Sequence, residues 1–151
     1  KRRWMPPVPL ADGKETLDAT AFGPACLQPE SPYLNAPAGT SEDCLNLNVW
    51  TAASSPDEKR PVMVWIHGGG FITGGAVQSI YDGRVMAESF NTVVVTLNYR
   101  LGPLGFLAHG SAGSLANNAG LLSPEDVITL NSFLEEAPPP TSSSTTGYSS
   151  P

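Results

Sequence analysis

From Leu45 to Val49 the chain alternates, with Leu45, Leu47 and Val49 apolar and Asn46 and Asn48 polar between them. A period of two predicts a strand with one face on a core and the other in water. Two later stretches do not alternate. Val62–Ile66 (VMVWI) and Thr92–Leu97 (TVVVTL) are dominated by β-branched and other apolar residues. Runs of that length, bounded by turn residues, read as strands buried on both faces. Residues 52–60 are polar, which predicts a hairpin-like connection from the first strand to the second. Residues 67–91 leave room for a crossover between parallel strands. Within them Asp82 stands as the N-cap of a short helix reaching about Ser89. Strand, loop, helix and strand make a βαβ unit. In sheets built of such units, ligands sit outside the carboxyl ends of the strands.

The flanks carry weaker patterns. Pro6, Pro7 and Pro9 favour an extended arm, with Trp4 and Met5 pinning it to a core. Residues 28–41 are rich in Pro, Gly, Ser and Asn and read as a loop. Asn98–Leu107 reads as a loop whose Leu101, Leu104 and Phe106 pack inward. Ser123-Pro124-Glu125-Asp126 opens a helix ending near Glu136, with Ser as N-cap, Pro at N1 and acids in the first turn. Residues 138–151, PPPTSSSTTGYSSP, hold one aromatic and no charge. They bury too little to offset the entropy of ordering and are expected to be disordered. The expected organisation is one partial α/β domain over 1–137 and a Pro/Ser/Thr-rich tail over 138–151.

Composition narrows the partners. A net charge of −6 argues against a nucleic-acid surface. No run of about 18 apolar residues is present, so no membrane span is expected. No apolar stretch follows Lys1-Arg2-Arg3, so no signal peptide is expected in this chain. It begins with Lys1 rather than Met, which predicts a true start further upstream. Cys26 and Cys44 would close a small loop in an oxidising compartment, worth about 3 kcal/mol in the loop-entropy picture. In a reducing one they would be two separate thiols, and spacing alone leaves both open.

The candidate chemistry sits at the carboxyl end of the second strand. His67-Gly68-Gly69-Gly70 places three glycines in a row, which costs backbone entropy. Without side chains, two successive backbone N–H groups can approach one small anion. The oxyanion of acyl transfer needs such donors at about 2.7–3.1 Å. Loops of the HGGG type supply one half of that hole in lipases and esterases. A plain flexible turn has the same composition.

Four motifs in one order point further: SEDCLNLNVW (Ser41–Trp50), PVMVWIHGGGF (Pro61–Phe71), YDGRVMA (Tyr81–Ala87) and NYRLGPLGFL (Asn98–Leu107). Together they resemble the type-B carboxylesterase/cholinesterase family. RRWMPPVPL and FGPAC look like its earlier segments, and the likeness runs from Arg3 to Leu122. The resemblance implies an α/β-hydrolase fold, here partial: a mixed, mostly parallel sheet with crossover helices. It implies hydrolysis of small-molecule carboxylic esters by a serine nucleophile, with no cofactor and no metal. It assigns Gly69 and Gly70 as oxyanion donors and Gly68 and Phe71 as residues that shape their loop. It makes His67 a shaping residue rather than the general base. It pairs Cys26 with Cys44 as a disulfide, which favours a secretory compartment. It suggests an ion pair between Arg100 and Glu42 or Asp43.

The departures are as informative. Members carry a Gly-x-Ser-x-Gly elbow on a strand-to-helix turn. These 151 residues contain none. The nearest imitation, His109-Gly110-Ser111-Ala112-Gly113, has His in place of the first Gly and no strand before it, so Ser111 is not assigned as a nucleophile. The family's acid and histidine base have no counterpart here either. The chain reads as an incomplete N-terminal portion, expected to be inactive alone. Two alternatives remain: a non-catalytic cholinesterase-like binding or adhesion module, and a truncated product whose partial sheet leaves an unpaired edge.

Overall fold

The computed structural model describes residues 3–4, 18–55, 57–107 and 146–149. Two short strands, β1 (Ala25–Cys26) and β2 (Thr40–Ser41), pair in parallel beside the main sheet. That sheet comprises β3 (Asn46–Trp50), β4 (Val62–Ile66), β5 (Val93–Leu97) and β6 (Thr146–Ser149), in the order β4-β5-β3-β6. A short helix, α1 (Arg84–Phe90), crosses from β4 to β5, and a second, α2 (Gly102–Phe106), follows β5.

β4 and β5 run parallel in register from Val62↔Val93 to Ile66↔Leu97, as the βαβ unit predicts. The rest of the sheet departs from expectation. β3 pairs antiparallel with β5, and β6 pairs antiparallel with β3, so two of this sheet's three pairings are antiparallel. Residues 52–60 are not a hairpin connection, because β5 lies between β3 and β4. Four residues of the expected tail, Thr146–Ser149, form β6. Adding a strand to an open edge uses backbone hydrogen bonds, so it does not require a run of apolar side chains.

The core lies around β5 and β3. Val95 packs on Val49, and Val94 packs with Trp50 and Ala87 of α1. Cys26, Cys44, Leu97, Tyr99 and Leu101 form a further cluster that Leu47 and Phe106 complete. The segment after β5 thus packs inward as expected, although residues 102–106 are helical rather than loop.

β4 corrects a second expectation. Its five residues are exposed, at 38–63%, not buried on both faces. Among the described residues β4 is an edge strand, and α1 sits over β5 instead, with Ala87 against Val94. Trp65 leans on Tyr81, with ring centroids 5.3 Å apart.

β3 corrects a third. Asn46 and Asn48 are buried, so the polar face of that strand is not solvated. The start of α1 is off by one residue: Gly83 is its N-cap, while Asp82 Oδ1 accepts a hydrogen bond from the Arg84 N–H at 2.9 Å. Gly83 is buried where a Cβ would lie 2.6 Å from Val94 Cγ1. At the amino end, the Trp4 Nε1–H donates to the Pro103 carbonyl at 3.0 Å, but the residue stays 41% exposed. Glu42 pairs with Arg3, and Arg100 feels the Glu42 charge more weakly. Ser111, the helix expected over 123–136 and residues 138–145 lie outside the described residues.

Candidate functional site

The exposure of β4 ends abruptly at His67, which is 3% exposed. Its ring stacks on Tyr99 with centroids 4.4 Å apart and planes 14° from parallel. The Tyr99 hydroxyl donates to the His67 carbonyl at 2.8 Å. His67 Nδ1 lies 2.9 Å from the Gly68 carbonyl oxygen. A carbonyl can only accept, so Nδ1 carries the proton. Burial holds the imidazole below its ordinary pKa, partly opposed by the hydrogen bond to Gly68. Nε2 is buried and makes no hydrogen bond among the described residues. This is a neutral, fixed side chain, suited to orienting its neighbour.

What it orients follows from peptide geometry. The peptide bonds are trans, so each carbonyl points opposite to the next residue's N–H. Holding the Gly68 carbonyl against His67 therefore turns the Gly69 N–H away from the ring. The Gly69 carbonyl in turn accepts from the Ile72 and Thr73 N–H groups, both at 3.1 Å, which sets the direction of the Gly70 N–H. Neither Gly69 nor Gly70 donates a backbone hydrogen bond among the described residues. Two consecutive amides are thus fixed through their carbonyls, with hydrogens that no described residue accepts.

Glycine is required where the turn is tightest. Gly69 has φ 122°, and a Cβ there would lie 1.8 Å from the Thr73 carbonyl oxygen. Phe71 holds φ 62°, a left-handed conformation uncommon outside glycine. Two contacts hold it there: the Gly102 N–H donates to its carbonyl at 2.7 Å, and its ring meets Phe106 at 4.9 Å.

The far end of the loop is gripped by polar side chains. The Asn98 Oδ1 accepts from the Ala76 N–H at 2.8 Å, and its Nδ2 donates to the Pro24 carbonyl and to Asn46 Oδ1. Asn48 Nδ2 donates to Thr96 Oγ1 at 3.0 Å and to the Ala76 carbonyl at 3.3 Å, and the Thr96 hydroxyl also donates to that carbonyl. Gln28 binds Gly74. Sequence reasoning missed all of these residues. One signal was available: asparagine is disfavoured in strands, so two on one strand face needed a reason.

The structure brings Gly68, Gly69, Gly70 and Phe71 together in one turn at the end of β4, and joins Cys26 to Cys44 as a disulfide. No group of three metal-ligating side chains occurs among the described residues. No helix among them is long and apolar enough to cross a membrane. Chemically, backbone amide hydrogens held in place and unused by the described residues are donors of the kind that can stabilise negative charge on an oxygen. Nothing beside them in these residues is a nucleophile activated by a base.

Comparison with known proteins bears on the same stretch. The Carboxylesterase family matches residues 1–125. The para-nitrobenzyl esterase of Bacillus subtilis (strain 168) is 45% identical over 125 residues, which cover 80% of this chain and 25% of that protein. The acetylcholinesterase of Bungarus fasciatus is 39% identical over 131 residues, 81% of this chain and 22% of that one. Among solved structures, a carboxylesterase of Geobacillus stearothermophilus superposes with a TM-score of 0.72 at 40% identity, covering 87% of this chain and 26% of its own. The chain spans about a quarter of the length of these relatives.

Proposed function

The chain belongs to the carboxylesterase family, and from that premise we propose that it carries the oxyanion-stabilising part of a serine ester hydrolase. Its substrate class is a small-molecule carboxylic ester. When a serine attacks the ester carbonyl, the carbonyl oxygen takes up negative charge. In this reading the N–H groups of Gly69 and Gly70 meet that charge, Gly68 and Phe71 shape the turn, and His67 orients the first peptide. A donor of this kind is worth about 2.7–4 kcal/mol of transition-state stabilisation.

One observation supports the reading above the others. Both peptides are held by their carbonyls, while neither N–H is used by the described residues. Preorganised donors cost no reorganisation as charge develops. The disulfide between Cys26 and Cys44 supports an oxidising, secretory setting.

The 151 residues hold no Gly-x-Ser-x-Gly elbow. Triad members act as a unit, so a hole alone keeps only a small part of the catalysis. By themselves these residues should hydrolyse p-nitrophenyl acetate no faster than background. The direct test replaces the matching segment of the Bacillus subtilis para-nitrobenzyl esterase with residues 18–107. Turnover is expected, and Gly69→Ala, whose Cβ would clash with the Thr73 carbonyl and displace the donor, should lower its kcat by roughly 10²–10³-fold. A folded chimera with no turnover, or one indifferent to Gly69→Ala, would favour a non-catalytic binding relative.

A further inference from the structure

We infer that Gln28 is a positioning residue for the glycine loop, a role that rests on the oxyanion reading above for its purpose but not for its geometry. Gln28 lies just after β1, far in sequence from the loop. Its Nε2 donates to the Gly74 carbonyl at 2.7 Å, and its Oε1 accepts from the Gly74 N–H at 2.8 Å. The second Nε2 hydrogen goes to the Cys26 carbonyl at 3.0 Å. One planar amide thus chelates both backbone groups of Gly74 and ties them to β1. The donor and the acceptor on Gly74 together fix which end of the side chain is oxygen.

Gly74 is the right place to grip. It has φ 114°, and a Cβ there would lie 2.5 Å from the Gly68 carbonyl oxygen and 2.6 Å from His67 Nδ1. Its backbone therefore packs against the hydrogen bond that orients the Gly69 N–H. β1 is a firm anchor: Cys26 is disulfide-bonded to Cys44, and Ala25 and Leu27 donate to the Gly39 and Ser41 carbonyls. The line of restraint runs from β1 through Gln28 and Gly74 to the Gly68 peptide. Only glutamine supplies two donors and one acceptor at this reach. Asparagine is a methylene shorter, and ionised glutamate has no donor.

Charge state makes the role testable apart from general stability. In Gln28→Glu, the neutral carboxylic acid can donate to the Gly74 carbonyl and accept from its N–H. The carboxylate cannot donate and faces two carbonyl oxygens. Half-burial among them raises its pKa above the ordinary value of about 4.3. The experiment is amide NMR of the full 151-residue chain, with Gln28→Ala and Gln28→Glu followed between about pH 7 and about pH 4. His67 is the titratable group against Gly74, so the wild-type chain is titrated alongside.

In Gln28→Ala, order parameters of the Gly69 and Gly70 amides should fall from about 0.85 to below about 0.6. Exchange of the Thr73 and Gly74 amides should speed up about tenfold. The Val95 and Thr96 amides of β5 should keep their protection. Gln28→Glu should match Gln28→Ala near neutral pH and recover towards wild type on acidification, its single O–H restoring the bond to the Gly74 carbonyl but not the one to Cys26. The proposal is overturned if Gln28→Ala leaves Gly69 and Gly70 as rigid as wild type. It is equally overturned if Gln28→Glu shows no recovery in acid, or if β5 protection collapses along with the loop. Titration of wild type with formate asks the separate question. Gly69 and Gly70 amide shifts that ignore formate count against the oxyanion reading and leave the Gln28 comparison standing.

Discussion

β4 and β5 lie side by side in register, and their directly paired residues Val64 and Val95 differ sharply in exposure. Val64 is 43% exposed and Val95 is 0% exposed. Both strands are apolar runs, and neither carries a charge. The difference is position. β5 has β3 on one side, β4 on the other and α1 above it; β4 has β5 alone among the described residues. An apolar run therefore announces a strand but not its neighbours. The same contrast recurs along β4 itself, whose body is open while the next residue, His67, is locked between Tyr99 and Gly68.

The strongest way to break the contrast is at the carboxyl end of β5, where order is carried by polar side chains. Asn98→Ala would strand the Ala76 N–H and Asn46 Oδ1 in a buried place, while the Pro24 carbonyl keeps its bond from Asn46 Nδ2. Leaving buried polar groups unpaired costs about 1–3 kcal/mol for each. We expect a loss of about 3 kcal/mol in urea unfolding, with partial re-pairing among the stranded groups. A loss under about 1 kcal/mol would show that this network adds nothing to the strand's apolar packing.

Next in size is Val95→Ala. It removes two methyl groups from a fully buried site packed on Val49. The expected cost is about 2 kcal/mol, from lost burial and the cavity left behind.

These two effects also mark what could be read from the chain beforehand. The strands at 62–66 and 93–97 are legible because apolar runs between turn residues have few other structures to adopt. The glycine loop is legible because three adjacent glycines at a strand end need a structural reason. Strand order is not legible: the polar stretch 52–60 suits a hairpin, yet β5 inserts between β3 and β4. The asparagine face of β3 misled for a physical reason. Alternation reports that two faces differ, and a polar face is read as wet by default. Here the Ala76 carbonyl takes the Asn48 amide and the Pro24 carbonyl takes the Asn46 amide, and the alternation in 45–50 identifies neither partner. Gln28 left no signal at all, since a single glutamine in a loop has no period.

A smaller effect separates the two ends of β4 by pH. Burial lowers the native pKa of His67. As pH falls through the unfolded value of about 6.5, the unfolded chain binds a proton that the native chain refuses. Stability should therefore decline below that pH by at most about 1.4 kcal/mol per pH unit, until the native pKa is reached. His67→Gln should flatten this slope between about pH 7 and about pH 5.5 in urea unfolding. An unchanged slope would mean that His67 is open to protons in the native state.

The smallest expected effect is the sharpest comparison. Val64→Ala makes the same chemical change as Val95→Ala, on the residue directly paired with it. At 43% exposure it should move the unfolding free energy by no more than about 0.5 kcal/mol. Val64→Lys should be tolerated equally well, because a side chain with access to water can keep its charge hydrated. It should also lower light scattering at high protein concentration, since charges on an edge strand oppose edge-to-edge pairing. A Val64→Ala cost near that of Val95→Ala would carry the opposite message. It would mean that another surface covers β4 in solution, and that the openness of Val62–Ile66 belongs to the isolated chain only.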